Sequence, residues 1–450
     1  MGSLFVQQEN TVVTTVICMA FFSIMLVAIF GAILYGIAKH FLLKYRKQFR
    51  FFLCHQKVAA GSLARLLKME LQKRGSRFTT FVDCDDLNDL TRLFSYVGQD
   101  TETLVVLASP DILTRKWCVG EICTARIQRV ETVVVAFPEY ANPDKTFIES
   151  YSSIVPDITE LANYNLGLVE VEETLRWIST LQTIALPALL TADAVDSLVT
   201  DLSGTFKAKS TTASSCPDCI ILADLDNLEA AATAYIMLGL LLPKLVGGSH
   251  NSMPTVLKKD QKMPKSATSA LMICSEGCFR SADVASNLLA VKDLKTCCIL
   301  PIIAEDGFRF PSQAFYEDLV TNRQLSSLDL QSYVQIIKAI FQEIAVVFSP
   351  QNYSSTQEDL ELRSKQVVWR LQSGDLKPLS SKLATEVSEP SPEPSVEQPL
   401  KPLGQAEQVP KVDERSDLVE TANAPPMPDK IEPWESEENF SCATIISQEL

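Results

Sequence analysis

The sequence predicts an α/β protein made of doubly wound parallel sheets in two copies, behind one apolar helix and ahead of a polar tail. Three observations predict it. Short apolar runs alternate with amphipathic stretches, the order that buries a parallel sheet between helices. The alternation restarts in the second half, where Thr103 to Glu139 lies on Ala270 to Asp306 without a gap, an offset of 167 residues. Both copies sit between a 27-residue uncharged segment, Val12 to Ala38, and a proline-rich acidic end.

Residues 1–11 form a short amino terminus, and 12–38 as a helix rising about 1.5 Å per residue is long enough to span a bilayer. A cleaved signal peptide would carry a shorter apolar core with positive charge in front. Here the charge follows, in the basic segment 39–50 with Lys39, Lys44, Arg46, Lys47 and Arg50. The positive-inside rule then puts the amino terminus outside and the rest in the cytoplasm, as a single-pass membrane protein in contact with lipid. Ala28, Ala32 and Gly36 recur every four residues, a spacing that lets two such helices approach closely.

The first domain spans 51–182. Phe51 to Cys54, Phe78 to Val82, Thr103 to Ala108 and Thr132 to Ala136 read as buried strands. Helices fall between them, at Leu63 to Leu71, after Trp117, and last at Val169 to Gln182. Residues 183–215, rich in Ser and Thr from Ser203, read as a linker. The second domain, 216–347, repeats the pattern with strands at Cys219 to Leu225, Ala270 to Ser275 and Cys297 to Ile303. Helices fall at Leu228 to Leu242 and Ala282 to Val291, and Gly247 to Lys265 offers no second strand. An amphipathic helix over 355–373 opens on Ser355-x-x-Glu358. Residues 377–450 hold 11 of the 23 prolines and 15 acidic against 6 basic residues, a composition expected to stay disordered. Its Pro-x-x-Pro matches are candidate partner sites.

Composition excludes several functions. A net charge of −15 with no dense basic face outside Lys39 to Arg50 argues against nucleic-acid binding. Twelve cysteines at irregular spacing suit a reducing compartment. His40, His55 and His250 stand in no metal-ligand spacing, and Cys216-Pro-Asp-Cys219 lacks a second pair, so no metal is expected. Asp226-x-x-Glu229 reads as a helix cap. No G-x-G-x-x-G supports redox use of a dinucleotide.

Several segments together carry a family resemblance. Phe52-Leu-Cys-His-Gln-Lys57 followed by Gly61-Ser-Leu-Ala-Arg-Leu-Leu-Lys68, Phe81-Val-Asp83, Leu104 to Ser109-Pro110, and Trp117-Cys-x-x-Glu121 resemble a Toll/interleukin-1 receptor (TIR) domain, nearest to its NAD-cleaving members. The resemblance implies a flavodoxin-like fold in both copies, with Leu300 to Pro311 resembling the later part of the domain in the degenerate second one. It implies NAD+ as a substrate, without a further cofactor, and Glu121 as the catalytic carboxylate of W-x-x-x-E. Two positions depart from the family: Cys54 stands where Ser is usual, and the loop after Asp83 lacks the usual glycine or proline.

The chemistry fits one carboxylate. Breaking the nicotinamide–ribose bond passes through an oxocarbenium-like sugar that a carboxylate stabilises, and nicotinamide leaves neutral without a second acid. His55 and Lys57 follow the first strand, where a cation meets a pyrophosphate; the other reading is a solvated loop. Ser109 and Trp117 complete the candidate contacts, Trp117 being either a stacking wall or a helix anchor. Taken alone Glu121 reads as an exposed carboxylate in an early helical turn, and only its register with Ser109-Pro110, Trp117 and the first-strand loop turns the reading to catalysis. Under the 167 offset Glu121 falls on Leu288 and Trp117 on Val284, so the second copy lacks the site. The same residues fit a non-catalytic adaptor docking on other TIR domains, itself included.

Overall fold

The apolar amino-terminal segment forms one helix, α1 (Gly2–Lys44), and the alternating pattern behind it folds into two five-stranded parallel sheets. The computed structural model describes residues 2–44, 47–87, 89–204, 218–245, 253–321, 325–352 and 354–386. Within α1, Thr15–Ile37 is 23 residues of mean hydropathy 2.7 with none of it buried in the molecule, long and apolar enough to cross a membrane.

The first half runs β1 (Phe49–His55), α2 (Lys57–Arg74), β2 (Thr80–Phe81), α3 (Asp83–Asp86), α4 (Leu93–Asp100), β3 (Thr101–Ala108), α5 (Lys116–Gln128) and β4 (Glu131–Ala136). It continues with α6 (Lys145–Glu149), α7 (Tyr151–Ile154), α8 (Leu168–Ile178), β5 (Thr183–Ala185) and α9 (Ala192–Ser203). The second half holds β6 (Cys219–Leu222), α10 (Leu228–Leu245), β7 (Pro254–Val256), β8 (Ser269–Cys274), α11 (Ala282–Lys292) and β9 (Cys298–Ile303). It ends with α12 (Gln313–Thr321), α13 (Leu330–Ile340), β10 (Val346–Val347), α14 (Gln357–Gln372) and α15 (Leu379–Glu386).

The sheets are ordered β2-β1-β3-β4-β5 and β7-β6-β8-β9-β10, the same flavodoxin-like order twice. Strand order reverses between β1 and β3, whose register pairs Cys54 with Val106 and His55 with Leu107. That reversal places a crevice over the carboxyl ends of these two strands.

Five expectations change, four in the boundaries and caps of elements and one at the joint between the halves. The segment 183–203 is not a linker: β5 pairs with β4 and α9 packs on α2, so the first domain ends near Ser203. A three-residue edge strand has too little apolar length to register as a run. The segment from Gly247 to Lys265 does hold a second strand, β7, hidden because it opens on Pro254, a position that edge strands tolerate. Helix α14 is capped by Thr356 and Asp359 rather than Ser355 and Glu358, and it packs on α10 as part of the second half. Residues 379–386 form α15 with Leu379 buried, and the Lys382 ammonium pairs with Glu343 at 2.8 Å. The rest of the expected disordered tail, 387–450, most of the Ser/Thr-rich stretch and Cys216 lie outside the described residues.

The two halves share a core. Leu63, Leu66 and Leu67 of α2 join Ala230, Met237 and Leu241 of α10 in one apolar cluster that reaches the inner faces of both sheets. This explains why α10, apolar enough to cross a membrane, is 61% buried: it is the central helix of the joint. Gly61 permits the closest approach, since a Cβ there would lie 2.9 Å from Gln351 Cβ. The expected Asp226 cap is replaced by Asn227, whose Oδ1 accepts from Glu229 N and Ala230 N at 3.0 and 3.1 Å. The Glu229 carboxylate is thereby released to cross between halves, accepting from Ser62 N at 2.7 Å and Leu63 N at 3.1 Å.

Burial pushes the Glu229 carboxyl up from 4.5 to about 7, against the opposing pull of the two amides and the Ser62 hydroxyl. The proton is held more tightly in the fold than in the unfolded chain. Its contribution to stability is therefore complete below pH 4.5 and lost as pH rises to about 7. Roughly 3 kcal/mol is at stake. The thermal midpoint is expected to fall across that window and to fall less in Glu229→Gln; equal slopes for the two chains in scanning calorimetry would remove Glu229 from the account.

Candidate active site

Glu121 lies in the second turn of α5, facing the carboxyl end of β1, and is 3% exposed. The expectation of an exposed carboxylate in an early turn is therefore wrong, because α5 is covered on this side. Phe94 of α4 sits so close to Gly120 that an added Cβ would lie 2.5 Å from its ring. Only glycine leaves that space. Trp117, one turn earlier, packs on Phe94 and Tyr164 with ring centroids 6.0 and 5.8 Å away. In this conformation it anchors α5 to its neighbours, the second of its two readings.

Around Glu121 the sheet supplies sulfur. Cys54 Sγ, Cys118 Sγ and a Glu121 oxygen lie within 4.8 Å of one another, all buried. The Cys118 thiol donates to His55 O at 3.3 Å and the Cys54 thiol to Cys118 O at 3.7 Å. Burial holds the Glu121 carboxyl well above the usual carboxylate range; the Cys54 hydrogen bond opposes this and the nearby Asp83 charge adds to it. Burial also pushes the Cys54 thiol up. Two sulfurs and a carboxylate are donors that a thiophilic ion accepts, but a ligating thiol and carboxyl must first lose their protons, and this pocket favours keeping them.

Asp83, the first residue of α3, is buried at the end of β2 and gathers two of the expected contacts. His55 Nε2 is 3.5 Å from Asp83 Oδ1, and the Lys57 ammonium is 3.7 Å from Oδ2. His55 Nδ1 donates to Leu53 O at 2.9 Å, since a carbonyl can only accept. Lys57 is not in a solvated loop. It is the first residue of α2 and 6% exposed.

Ser109 points elsewhere, into a network at the end of β3. Its Oγ is 3.1 Å from the Gln56 amide nitrogen, while the amide oxygen accepts from Arg115 Nη2 and Nε at 2.8 and 3.2 Å, the orientation that satisfies both ends. The structure thus brings Glu121 together with Cys54 and Cys118, and His55 with Lys57 on Asp83. Ser109 and Trp117 flank the group.

The loop after β2 is tied down without glycine or proline. Arg65 of α2, wholly buried, donates to Asp85 at 3.0 Å, and Lys68 reaches Asp85 and Asp86 at 3.1 and 2.6 Å. Arg115 and Phe94 went unnoticed in the sequence, while Asp83 and Gln56 stood there only as parts of longer segments with no role of their own. Cys118 carried a signal, standing three residues before Glu121 on one helix face. At the matching place in the second half Leu288 and Val284 are wholly buried apolar side chains, so α11 presents no carboxylate there.

No family model and no curated protein matches the chain. Among solved structures it is similar to a chain described as "Structure of the activated Roq1 resistosome directly recognizing the pathogen effector XopQ (TIR domains)", with 16% identity over 34% of this chain and 98% of that one, at a TM-score of 0.27.

Proposed function

We propose that the chain is a membrane-anchored TIR-type signalling protein with tandem copies of one module, the first of which cleaves NAD+ to nicotinamide and ADP-ribose or its cyclic form. One observation carries the reading. The motif glutamate, Glu121, lies buried where strand order reverses, near Asp83, which has the His55 ring at 3.5 Å and the Lys57 ammonium at 3.7 Å.

The mechanism assigns each group a task. A Glu121 carboxylate below the ribose stabilises the oxocarbenium-like transition state as neutral nicotinamide departs, and water or the adenine ring then takes the sugar cation. His55 and Lys57 meet the pyrophosphate once Asp83 swings away. For any of this α3 and α4 must lift, because a carboxyl 3% exposed reaches no ribose. Opening also hydrates Glu121, which lowers the cost of its charge. Activity is thus coupled to loosening of the clamp that Arg65 and Lys68 place on α3.

The same coverage favours a second reading, a non-catalytic adaptor that docks on other TIR domains through surfaces outside the α2–α10 joint, with the tail recruiting partners. The apolar helix, with Ala28, Ala32 and Gly36 on one face, would pair copies in either case. Nicotinamide release by the full chain, clustered in a bilayer and given NAD+, separates the two. Turnover supports the enzyme; a clustered, folded and inert chain supports the adaptor.

A further inference from the structure

A cavity of about 760 Å³ opens at the amino-terminal edge of the first sheet, opposite the candidate active site. Its walls include Lys47, Arg50, Arg77, Ser76, Thr79 and Glu102. Three cations face one carboxylate, in a chain whose net charge is −15. Arg50 is paired with Glu102, and the Lys47 ammonium gives one of its three N–H groups to Thr101 O at 2.6 Å. Arg77 is exposed with its guanidinium 4.7 Å above the Phe78 ring and has no ion pair among the described residues. Its guanidinium carries five donors.

The chain itself fixes where this cavity sits. Helix α1 ends at Lys44 and β1 begins at Phe49, so the amino-terminal end of β1 is the part of the domain tied to the apolar span. From Ile37 to Lys44 a helix rises about 10 Å, and three further residues add at most about 10 Å. Lys47 is thereby held within about 20 Å of the hydrocarbon, a tether that lets it reach a headgroup layer about 5–7 Å deep. The seven residues of β1 place Glu121 about 20 Å farther out.

Resting on the membrane-anchored reading above, we infer that this cavity binds the phosphate of a net-negative glycerophospholipid in the same bilayer leaflet. Arg77 grips the phosphate, Ser76 offers a hydroxyl, and Lys47 and Arg50 add charge, while the Thr79 hydroxyl stays on Gln48 O at 2.8 Å. The grip sets the first sheet upright, with the active-site end away from the membrane. A planar guanidinium suits a phosphate's paired oxygens, and each basic residue near an anionic surface is worth about fivefold in binding.

The test uses the full chain purified in detergent micelles that carry equal amounts of dioleoylphosphatidylserine and dioleoylphosphatidylcholine, with retained lipid read by mass spectrometry. The serine lipid should be enriched over the choline lipid. The enrichment should drop about fivefold in Arg77→Gln, where a surface arginine is replaced without loss of packing, and Arg77→Lys should recover only the part owed to charge. Excess inorganic phosphate should leave the ratio unchanged; displacement by it would overturn the lipid source. Equal retention of the two lipids, or enrichment indifferent to Arg77→Gln, would overturn the site. Carbonate extraction of the membranes from which the chain is purified separates the two ideas. A chain released from membranes sinks the anchored reading and this one together, whereas an inserted chain with no lipid preference sinks only this one.

Discussion

Glu121→Gln is expected to slow nicotinamide release by about a hundredfold or more while leaving the thermal midpoint unchanged or slightly raised. The argument joins the transition state to the burial. A developing cation in a site shielded from water loses on the order of 3 kcal/mol when its carboxylate becomes an amide. The fold loses nothing comparable, because burial already favours the protonated carboxyl, whose shape the amide keeps. The wild-type pH profile carries the same signature. Only the ionised form stabilises the sugar cation, and the carboxyl is held above 4.5 chiefly by desolvation. Turnover should therefore rise with pH through a midpoint above the ordinary glutamate value and be lost as pH falls through it. A Glu121→Gln chain with full activity would remove Glu121 from catalysis, and an acidic limb at the ordinary value would show that the carboxyl is fully hydrated when it acts.

Periodicity made the scaffold legible and left the joints hidden. Strands β1, β3, β4, β8 and β9 are buried on both faces and so read as continuous apolar runs, and their equal spacing exposed the repeat. Strands β2, β5, β7 and β10 have two or three residues each, too few for any pattern, and only pairing with a neighbour defines them. Glu121 was found because its motif lies on one helix. The burial of that residue was not, since it depends on Cys54 at the end of β1 and Asp83 at the start of α3, both distant in sequence. Glu229 is the clearest case. Locally it completes a capping pattern, yet Asn227 takes the cap and the carboxylate serves Ser62 from the other half, a choice made by tertiary contact.

Asp85→Ala is expected to destabilise the chain by about 3–5 kcal/mol, an effect on the scale of the catalytic one but acting on the fold. Arg65 has no exposed surface and Asp85 is 8% exposed in its side chain, so the pair is screened by protein instead of water. Removing the carboxylate leaves a guanidinium in a place it cannot solvate. Cys84, its thiol pushed up to about 12 mainly by burial, stays a neutral neighbour and offers no compensating charge. Arg65→Met keeps the volume without the charge, and Asp85 retains Lys68 at 3.1 Å, so this variant should lose much less. The double variant should then cost less than Asp85→Ala alone, the mark of a coupled pair in urea unfolding. Function should move the other way. With α3 unclamped, Asp83 and the cover over Glu121 open more often, and basal nicotinamide release should rise in Asp85→Asn, which still accepts a hydrogen bond from Arg65 and keeps the fold. An Asp85→Ala chain as stable as wild type would show that Arg65 is compensated elsewhere. A stable Asp85→Asn chain with unchanged turnover would show that α3 does not gate the site.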